Sequence, residues 1–571
     1  MRAVAAAGLA LCTATVVLMV AVDVHGQTTL LNLLQAREQE VEQLATALRG
    51  LYDDAYCGSA SCASDVAACE SELLTSTCAS TFGGCRSKTE NRRLDFSSSV
   101  MRTASTPFDD DVRQEACWTR QLDNTFISIN GGTSENTDTA TKWQYVGTSS
   151  GFYRIYPGVP QQDCNAYDPR LRPWYVAATS GPKDIVIVLD RSGSMATNNR
   201  WETAMDAAET VLETLTIADF VAIVVFDTSA SQVCGTTIPC GSLVQATADN
   251  VGTLRTLLAN FNPDGSTNFE SAFQVAFSVL KQTGERTSNC HTAILFMTDG
   301  MITAGLEGNA FLDFVDDEQD ALEAAVGKRA VLFTFSFGTG ADETIPKALA
   351  CNHNGTWSPV EYNINLRQQM GNYYDYFASL RATTSSPVVW VEPYEDASGA
   401  GVLTTASKAV YDTRFSPARL IGVIGIDILA SDLQDVAVDY EDLLDALVQR
   451  SNTCPTITLD RCELGAIRTT DYSTSGFPSQ YTENDRLCDA DELDGCSTTT
   501  NLPCVDDNNI YTPPSIPATE ETHSHFGNSR SSYTDEACRS CSKSVSSGAE
   551  HTRVSAVVVV AALIALSMLA F

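Results

Sequence analysis

The sequence predicts a doubly wound α/β domain inserted into an interrupted α+β sheet domain. Between Lys183 and about Val360, apolar runs alternate with helical stretches. Short mixed strands flank that segment on both sides, and 571 residues exceed what one hydrophobic core supports. At 44% hydrophobic and 19% charged residues, the composition is that of a globular protein. With 71 acidic against 36 basic residues and a formal net charge of −35, the chain lacks the basic face a nucleic-acid binder needs. Its surface suits metal cations instead.

In chain order, residues 1–26 carry Arg2, an apolar stretch from Ala5 to Ala21 and the end Val24-His25-Gly26, which predicts a secretory signal peptide cut before Gln27. In 27–94, Leu30, Leu33, Leu34, Val41, Leu44, Leu48 and Leu51 stand at helical spacing and predict one long amphipathic helix, followed by the cysteine-studded segment 57–85. Residues 95–182 form the first part of the sheet domain, with strands expected at Phe126–Ile129 and Gly151–Tyr156. Residues 183–362 are the α/β domain. Its apolar runs Asp184–Asp190, Phe220–Phe226, Ala293–Thr298 and Ala330–Phe337 predict buried parallel strands, with helices at Trp201–Leu215, Asn268–Gln282 and Asp316–Val326. Residues 363–436 return to short strands at Val388–Val391, Ser407–Tyr411 and Leu420–Ile428. A helix at Tyr440–Arg450 then leads through the cysteine-rich region 437–545. Asn354-Gly355-Thr356 makes Asn354 a glycosylation acceptor.

Residues 546–571 begin with small residues, pass through Glu550-His551-Thr552-Arg553 and end in an uncharged tail, Val554–Phe571. This pattern predicts a GPI-attachment signal, with a single-pass membrane helix as the alternative. Both readings put the body of the protein on the extracellular face of the plasma membrane. The cysteines agree, since losing Cys12 with the leader leaves 18 of 19, an even number suited to disulfides. If the four from Cys234 to Cys351 pair among themselves, seven remain on each side, so at least one bridge joins the N-terminal half to the C-terminal region. The Cys538-Arg539-Ser540-Cys541 pair has no second such pair, so disulfide is preferred to zinc there.

Two constellations carry chemistry. The first α/β strand ends in Asp190-Arg191-Ser192-Gly193-Ser194, where two hydroxyls two residues apart flank a turn after a carboxylate. Alone this is a weak signal, because Asp also caps helices. Gly265-Ser266-Thr267-Asn268 precedes a helix, however, and Thr298-Asp299-Gly300 closes the next strand. Three oxygen-bearing elements at strand ends suit a hard divalent cation. They resemble a von Willebrand factor A domain with an intact metal-ion-dependent adhesion site. That resemblance implies Asp190, Ser192, Ser194, Thr267 and Asp299 as ligands of Mg²⁺, with Ca²⁺ or Mn²⁺ as alternatives, completed by an acidic side chain from a partner protein.

The second constellation is Tyr167-Asp168-Pro169-Arg170-Leu171-Arg172-Pro173-Trp174-Tyr175, a guanidinium among aromatic rings. Its bland reading is a packed strand with a cation–π pair. After the α/β segment come Tyr394-Glu395-Asp396 and Gly422-Val423-Ile424-Gly425-Ile426-Asp427. Together these resemble the amino-acid-binding motif of Cache domains. The resemblance implies that Arg172 and Trp174 hold the carboxylate of a small α-amino acid and Asp427 its ammonium, with Tyr167, Tyr175, Tyr394 and Asp396 completing the pocket.

A Cache-type sheet interrupted by an A domain, after a long helix and before an anchor, resembles the alpha-two-delta auxiliary subunits of voltage-gated calcium channels over roughly residues 28–435. This implies an extracellular, membrane-anchored subunit that binds the pore-forming channel subunit through the metal site. Family members continue through a second Cache region, where this chain has the segment 451–541. A cation-dependent adhesion or matrix receptor and a cell-surface amino-acid sensor stay open beside that reading. No nucleophile–base pair can be nominated, so an enzyme is not expected.

Overall fold

A computed structural model describes residues 30–53 and 96–496, except 104–114, 117, 133–140, 159–166, 283, 285–286, 339, 362–371, 382–385, 396–400, 414–417, 435–439, 455–457, 470–482, 490–491 and 495. The expected leader, the segment 57–85, Cys117, Cys164, Asp396, Cys504, Cys538, Cys541 and the anchor signal lie outside the described residues. No helix among the described residues is long and apolar enough to cross a membrane.

The strands run β1 (Val100–Thr103), β2 (Thr141–Thr148), β3 (Phe152–Tyr156), β4 (Lys183–Asp190), β5 (Phe220–Phe226), β6 (Ala230–Gln232), β7 (Val244–Gln245), β8 (His291–Thr298), β9 (Val331–Phe337), β10 (Trp357–Val360), β11 (Val389–Trp390), β12 (Tyr394–Glu395), β13 (Val402–Asp412) and β14 (Arg419–Leu429). They form two sheets. One is ordered β1-β3-β2-β14-β13-β11, with β12 also on β13, and every pairing in it is antiparallel. The other is ordered β10-β9-β8-β4-β5-β6, with β7 also on β5; its first five strands are parallel. All strands of the parallel sheet lie in sequence between β3 and β11, and β2 pairs directly with β14. The α/β segment is therefore inserted into the antiparallel sheet.

The parallel sheet is covered on both faces, which is why its strands are continuous apolar runs. β4 is buried at all eight positions. On one face Ile185, Ile187 and Leu189 pack with Ala204, Ala208 and Val211 of the helix Arg200–Thr214. On the other, Val186 and Val188 pack with Phe269, Phe273 and Phe277 of the helix Phe269–Lys281. In the antiparallel sheet, Ile424, Ile426 and Ile428 of β14 face a core shared with Leu34, Val41, Leu44 and Leu48 of the helix over residues 30–53. Val423 faces the opposite side, against Tyr145 and Trp174. The period of two sorts β14 into an aliphatic face and an aromatic face.

Several expectations need correction. Phe126–Ile129 is not a strand; it ends the helix Leu122–Ile129, whose Leu122 and Phe126 are buried one turn apart. Four alternating residues fit either period, and the tertiary core decides between them. The stretch Tyr167–Tyr175 is not a strand either. Asp168 caps the 3₁₀ turn Pro169–Leu171, and Pro173 opens the helix Pro173–Ser180. The helix expected at Asp316–Val326 begins at Gly308, and the helices Ala248–Leu258 and Asn372–Arg381 went unread.

The cysteines from Cys234 to Cys351 do not pair only among themselves. Cys234 bonds Cys240, but Cys290 bonds Cys454 and Cys351 bonds Cys488, with Cys462 bonded to Cys496. Bridges follow proximity in space: Cys290 just before β8 and Cys351 near a helix end meet the chain that follows β14. Both bridges tie that chain to the inserted domain.

Asn354 stands exposed at a turn with φ +58°, in a geometry open to a glycan. The next residue is constrained. A Cβ at Gly355 would fall 1.9 Å from the carbonyl oxygen of Leu332 on β9. Gly355→Ala is expected to push β10 from β9 and cost about 1–3 kcal/mol. Thermal unfolding of the two proteins checks this, and an unchanged Tm would contradict the contact.

Candidate functional site

The five residues of the first constellation converge at the carboxyl ends of β4 and β8. Asp190 closes β4 fully buried. Its Oδ1 accepts from the Ser192 amide at 2.7 Å, and its Oδ2 accepts from Thr298 Oγ1 at 2.6 Å. The Ser192 and Ser194 hydroxyls lie 3.1 Å apart, and Ser194 Oγ donates to Asp299 Oδ1 at 2.8 Å. The guanidinium of Arg200 pairs with Asp299 Oδ2. Thr267 arrives on the loop before the helix Phe269–Lys281, which Gly265 turns at φ +77°; the Gly193 amide donates to the Gly265 carbonyl at 3.0 Å and pins that loop. Gly300 lies between the last two hydroxyls, since a Cβ there would stand 3.7 Å from Ser194 Oγ and 3.8 Å from Thr267 Oγ1.

The donor set consists of hydroxyl and carboxylate oxygens alone. That fits a hard divalent cation and not a soft one, and the fit rests on this chemistry. Burial pushes the Asp190 carboxyl up to about 6, against the lowering effect of hydrogen bonds from Thr298 and Ser192. The sequence reading missed Thr298 as the group that orients Asp190, although it stands inside the quoted motif. It also missed Arg200, ten residues past Asp190, which no spacing rule marks.

A second group, Cys290, His291 and Cys454, has its ligand atoms within 4.8 Å of one another. Its two sulfurs are joined in a disulfide, so they offer no thiolate. Burial holds the His291 imidazole down to about 4, neutral near pH 7.

The second constellation gathers on the aromatic face of the antiparallel sheet. Asp427 on β14 is buried, and its Oδ1 accepts from Tyr145 at 2.6 Å, from Thr405 at 2.6 Å and from Tyr394 at 3.5 Å. Trp174 lies against Tyr145, ring centroids 4.7 Å apart, with Tyr175 edge-on to it at 5.7 Å. Tyr153 follows, 4.6 Å from Tyr167. At the rim the Arg172 and Arg102 guanidiniums sit 4.5 and 4.7 Å from the Tyr167 ring centroid, and Arg172 is exposed. The Asp427 carboxyl thus lies at one end of an aromatic row and two guanidiniums lie at the other. Burial, reinforced by Asp427, holds the phenols of Tyr145 and Tyr394 well above their ordinary range, so both stand as neutral donors.

Of the residues expected here, Tyr167, Arg172, Trp174, Tyr175, Tyr394 and Asp427 are brought together. Tyr145, Tyr153 and Thr405 went unnamed, because their convergence depends on strand register. Gly425 is part of the same device. It is the cross-strand partner of Tyr145, and a Cβ on it would fall 2.2 Å from the Tyr145 ring. The glycine lets that ring lie flat across β14 with its hydroxyl on Asp427.

The von Willebrand factor type A domain family matches residues 185–301. Over 344 residues the chain is 28% identical to the voltage-dependent calcium channel subunit alpha-2/delta-2 of Mus musculus, covering 58% of this chain and 28% of that protein. It is 28% identical over 327 residues to alpha-2/delta-4 of Homo sapiens, 53% of this chain and 27% of the relative. It is 28% identical over 347 residues to alpha-2/delta-3 of Rattus norvegicus, 57% and 30%. The match thus spans less than a third of the length of each of these relatives.

The buried carboxyl of Asp190 predicts a pH dependence. It ionises near 6 in the folded protein and near ~4 in the unfolded chain. Between those values the folded state holds a proton that the unfolded state has released, so stability falls as pH rises through the window. In EDTA the wild type should lose about 2 kcal/mol more than Asp190→Asn between pH 4 and 7. Parallel Tm–pH curves for the two proteins would contradict the buried carboxyl.

Proposed function

We propose that this alpha-2/delta-like chain is an extracellular, membrane-anchored auxiliary subunit of a voltage-gated calcium channel. It engages the pore-forming subunit through a divalent cation and holds a small α-amino acid in a Cache-type pocket. The observation that carries the role is the similarity to alpha-2/delta subunits over more than half of this chain. The oxygen-only cluster at the strand ends supports the mode of contact.

Asp190, Ser192, Ser194, Thr267 and Asp299 would hold the cation, Mg²⁺ by its preference for such ligands. When bound, the ion supplies an electrophilic position for an acidic side chain of the partner. Arg200 already neutralises one oxygen of Asp299. The ion therefore keeps more of its positive charge than it would beside two free carboxylates, which favours an anionic partner ligand. Along the aromatic row Asp427 would take an ammonium, while Arg172, exposed at the rim, would take a carboxylate. The tyrosine hydroxyls would keep the intervening space polar but uncharged.

Two experiments test this. Full-length protein captured from its own cells in Mg²⁺ should copurify with a multi-spanning cation-channel subunit, and EDTA or Asp190→Ala should abolish that association. Recovery of matrix or surface glycoproteins alone would replace the reading with cation-dependent adhesion. For the pocket, an α-amino acid at ~100 times its Kd should stabilise the protein by ~2.7 kcal/mol, and Asp427→Asn should erase the gain. No shift with any of the twenty amino acids would overturn the pocket.

A further inference from the structure

The oxygen-lined cluster at the ends of β4 and β8 has an apolar side chain on its rim that no core accounts for. Met301 follows Asp299 by two residues and is 66% exposed. The other exposed large apolar side chains among the described residues, Leu31, Val326, Val402 and Tyr440, lie between 36% and 44%. Single apolar residues on a surface are ordinary, and exposure by itself marks nothing. What distinguishes Met301 is how its backbone is held.

The Gly300 amide, just before it, donates at 3.2 Å to Thr298 Oγ1, the hydroxyl that orients Asp190. Just after it, Ile302 packs against the core that contains Phe269 and Phe273. The Thr303 and Ala304 amides donate to the Thr267 carbonyl at 2.9 and 3.2 Å, and the Thr267 amide donates to Thr303 Oγ1 at 2.8 Å. The loop 299–304 is thus tied at both ends to residues of the cluster, and its large exposed side chain is apolar. Position then sets what that side chain can touch. A Cβ at Gly300 would stand 3.7 Å from Ser194 Oγ and 3.8 Å from Thr267 Oγ1, and the Met301 Cα is one residue on, about 3.8 Å from the Gly300 Cα. A group that reaches the cluster from solvent therefore arrives within one residue of Met301.

Two chemistries stand side by side there. A bound cation, with Arg200 on Asp299, favours an acidic side chain from the partner. The thioether chain offers flexible apolar surface, of the kind methionine contributes to protein interfaces. We propose that Met301 anchors the partner interface, and that the partner is a protein whose acidic side chain has an apolar neighbour, one or two residues away, that packs on Met301. This rests on the reading of the cluster as the partner contact. An extended chain advances about 3.3 Å per residue, so such a neighbour lies about 3–7 Å along from the acid, which matches the step from the cluster to Met301. Met301 offers no oxygen to the ion, so it acts on affinity and choice of partner and leaves metal binding unchanged.

The test uses full-length wild type, Met301→Ser and Met301→Leu, each captured from the protein's own cells in Mg²⁺, with a wild-type capture in EDTA alongside. Met301→Ser should lower Mg²⁺-dependent recovery of the partner about tenfold, and Met301→Leu should keep most of it, because the contact needs apolar surface and not sulfur. Both variants should keep the wild-type rise in Tm on adding Mg²⁺. In the purified wild-type complex, mild peroxide should oxidise Met301 to its sulfoxide more slowly than in the free protein, read by mass spectrometry, and EDTA should remove the difference. Full Mg²⁺-dependent recovery with Met301→Ser, or equal oxidation of Met301 in the free and bound forms, would overturn the inference and leave the metal-mediated contact standing. Loss of the Mg²⁺-induced rise in Tm in Met301→Ser would overturn it too, by placing the residue in metal binding. A wild type with no Mg²⁺-dependent partner would overturn both readings.

Discussion

Direct pairing of β2 with β14 is the constraint on which the rest of the molecule depends. These strands lie on opposite sides of the inserted domain in sequence, yet Tyr145 stands opposite Gly425 and Val146 opposite Ile424. That register puts the Tyr145 ring over a glycine and its hydroxyl on Asp427. A slip of one residue would send Asp427 to the aliphatic face, among Ile424, Ile426 and Ile428. A carboxylate has no partner in such a core, so the sheet's pairing and its polar site enforce each other.

The metal-type cluster follows from a different rule. β4 and β8, buried on both faces, carry their polar residues only at their ends, and their carboxyl ends are adjacent because the strands pair in parallel. Asp190 and Thr298 meet there as a consequence of strand order. The insertion of Thr267 then needs one tight loop, closed by Gly265. Arg200 adds a fixed positive charge from the start of its helix, and Gly338 leaves room for it, since a Cβ there would lie 2.8 Å from Arg200 Nε.

Legibility in the sequence divided along these lines. Asp190, Ser192, Ser194 and Asp299 could be read because each sits in a short contiguous motif at the end of an apolar run. Trp174 and Asp427 could be read as members of separated motifs, but Tyr145, Tyr153 and Thr405 could not, since nothing local records which strand lies beside which. The segment Phe126–Ile129 was misread because four residues carry no distinguishable period. The bridges Cys290–Cys454 and Cys351–Cys488 span 164 and 137 residues, so no local pattern encodes them. Arg381 and Arg200 were silent for the same reason, since a buried guanidinium is recognisable only by what surrounds it.

The two candidate sites are joined by one continuous stretch of chain. Trp174 stands on the helix Pro173–Ser180, Gly181 turns the chain, and β4 runs buried from Lys183 to Asp190 over about 26 Å. A strand packed on both faces does not bend, so a displacement at Trp174 reaches Asp190 only by a change at the Gly181 turn. That turn is where Arg381 packs on the glycine backbone and where Lys183 donates to the Gly181 carbonyl. Spatial continuity alone is not coupling, which requires an element with two stable arrangements that both ligands bias. The charged joint at Gly181 is the place where such an element would have to lie. Its burial and the hydrogen bonds that Lys183 makes to Gly181 and Arg381 to Thr453 argue that it is a fixed point of the fold, with no such element in it.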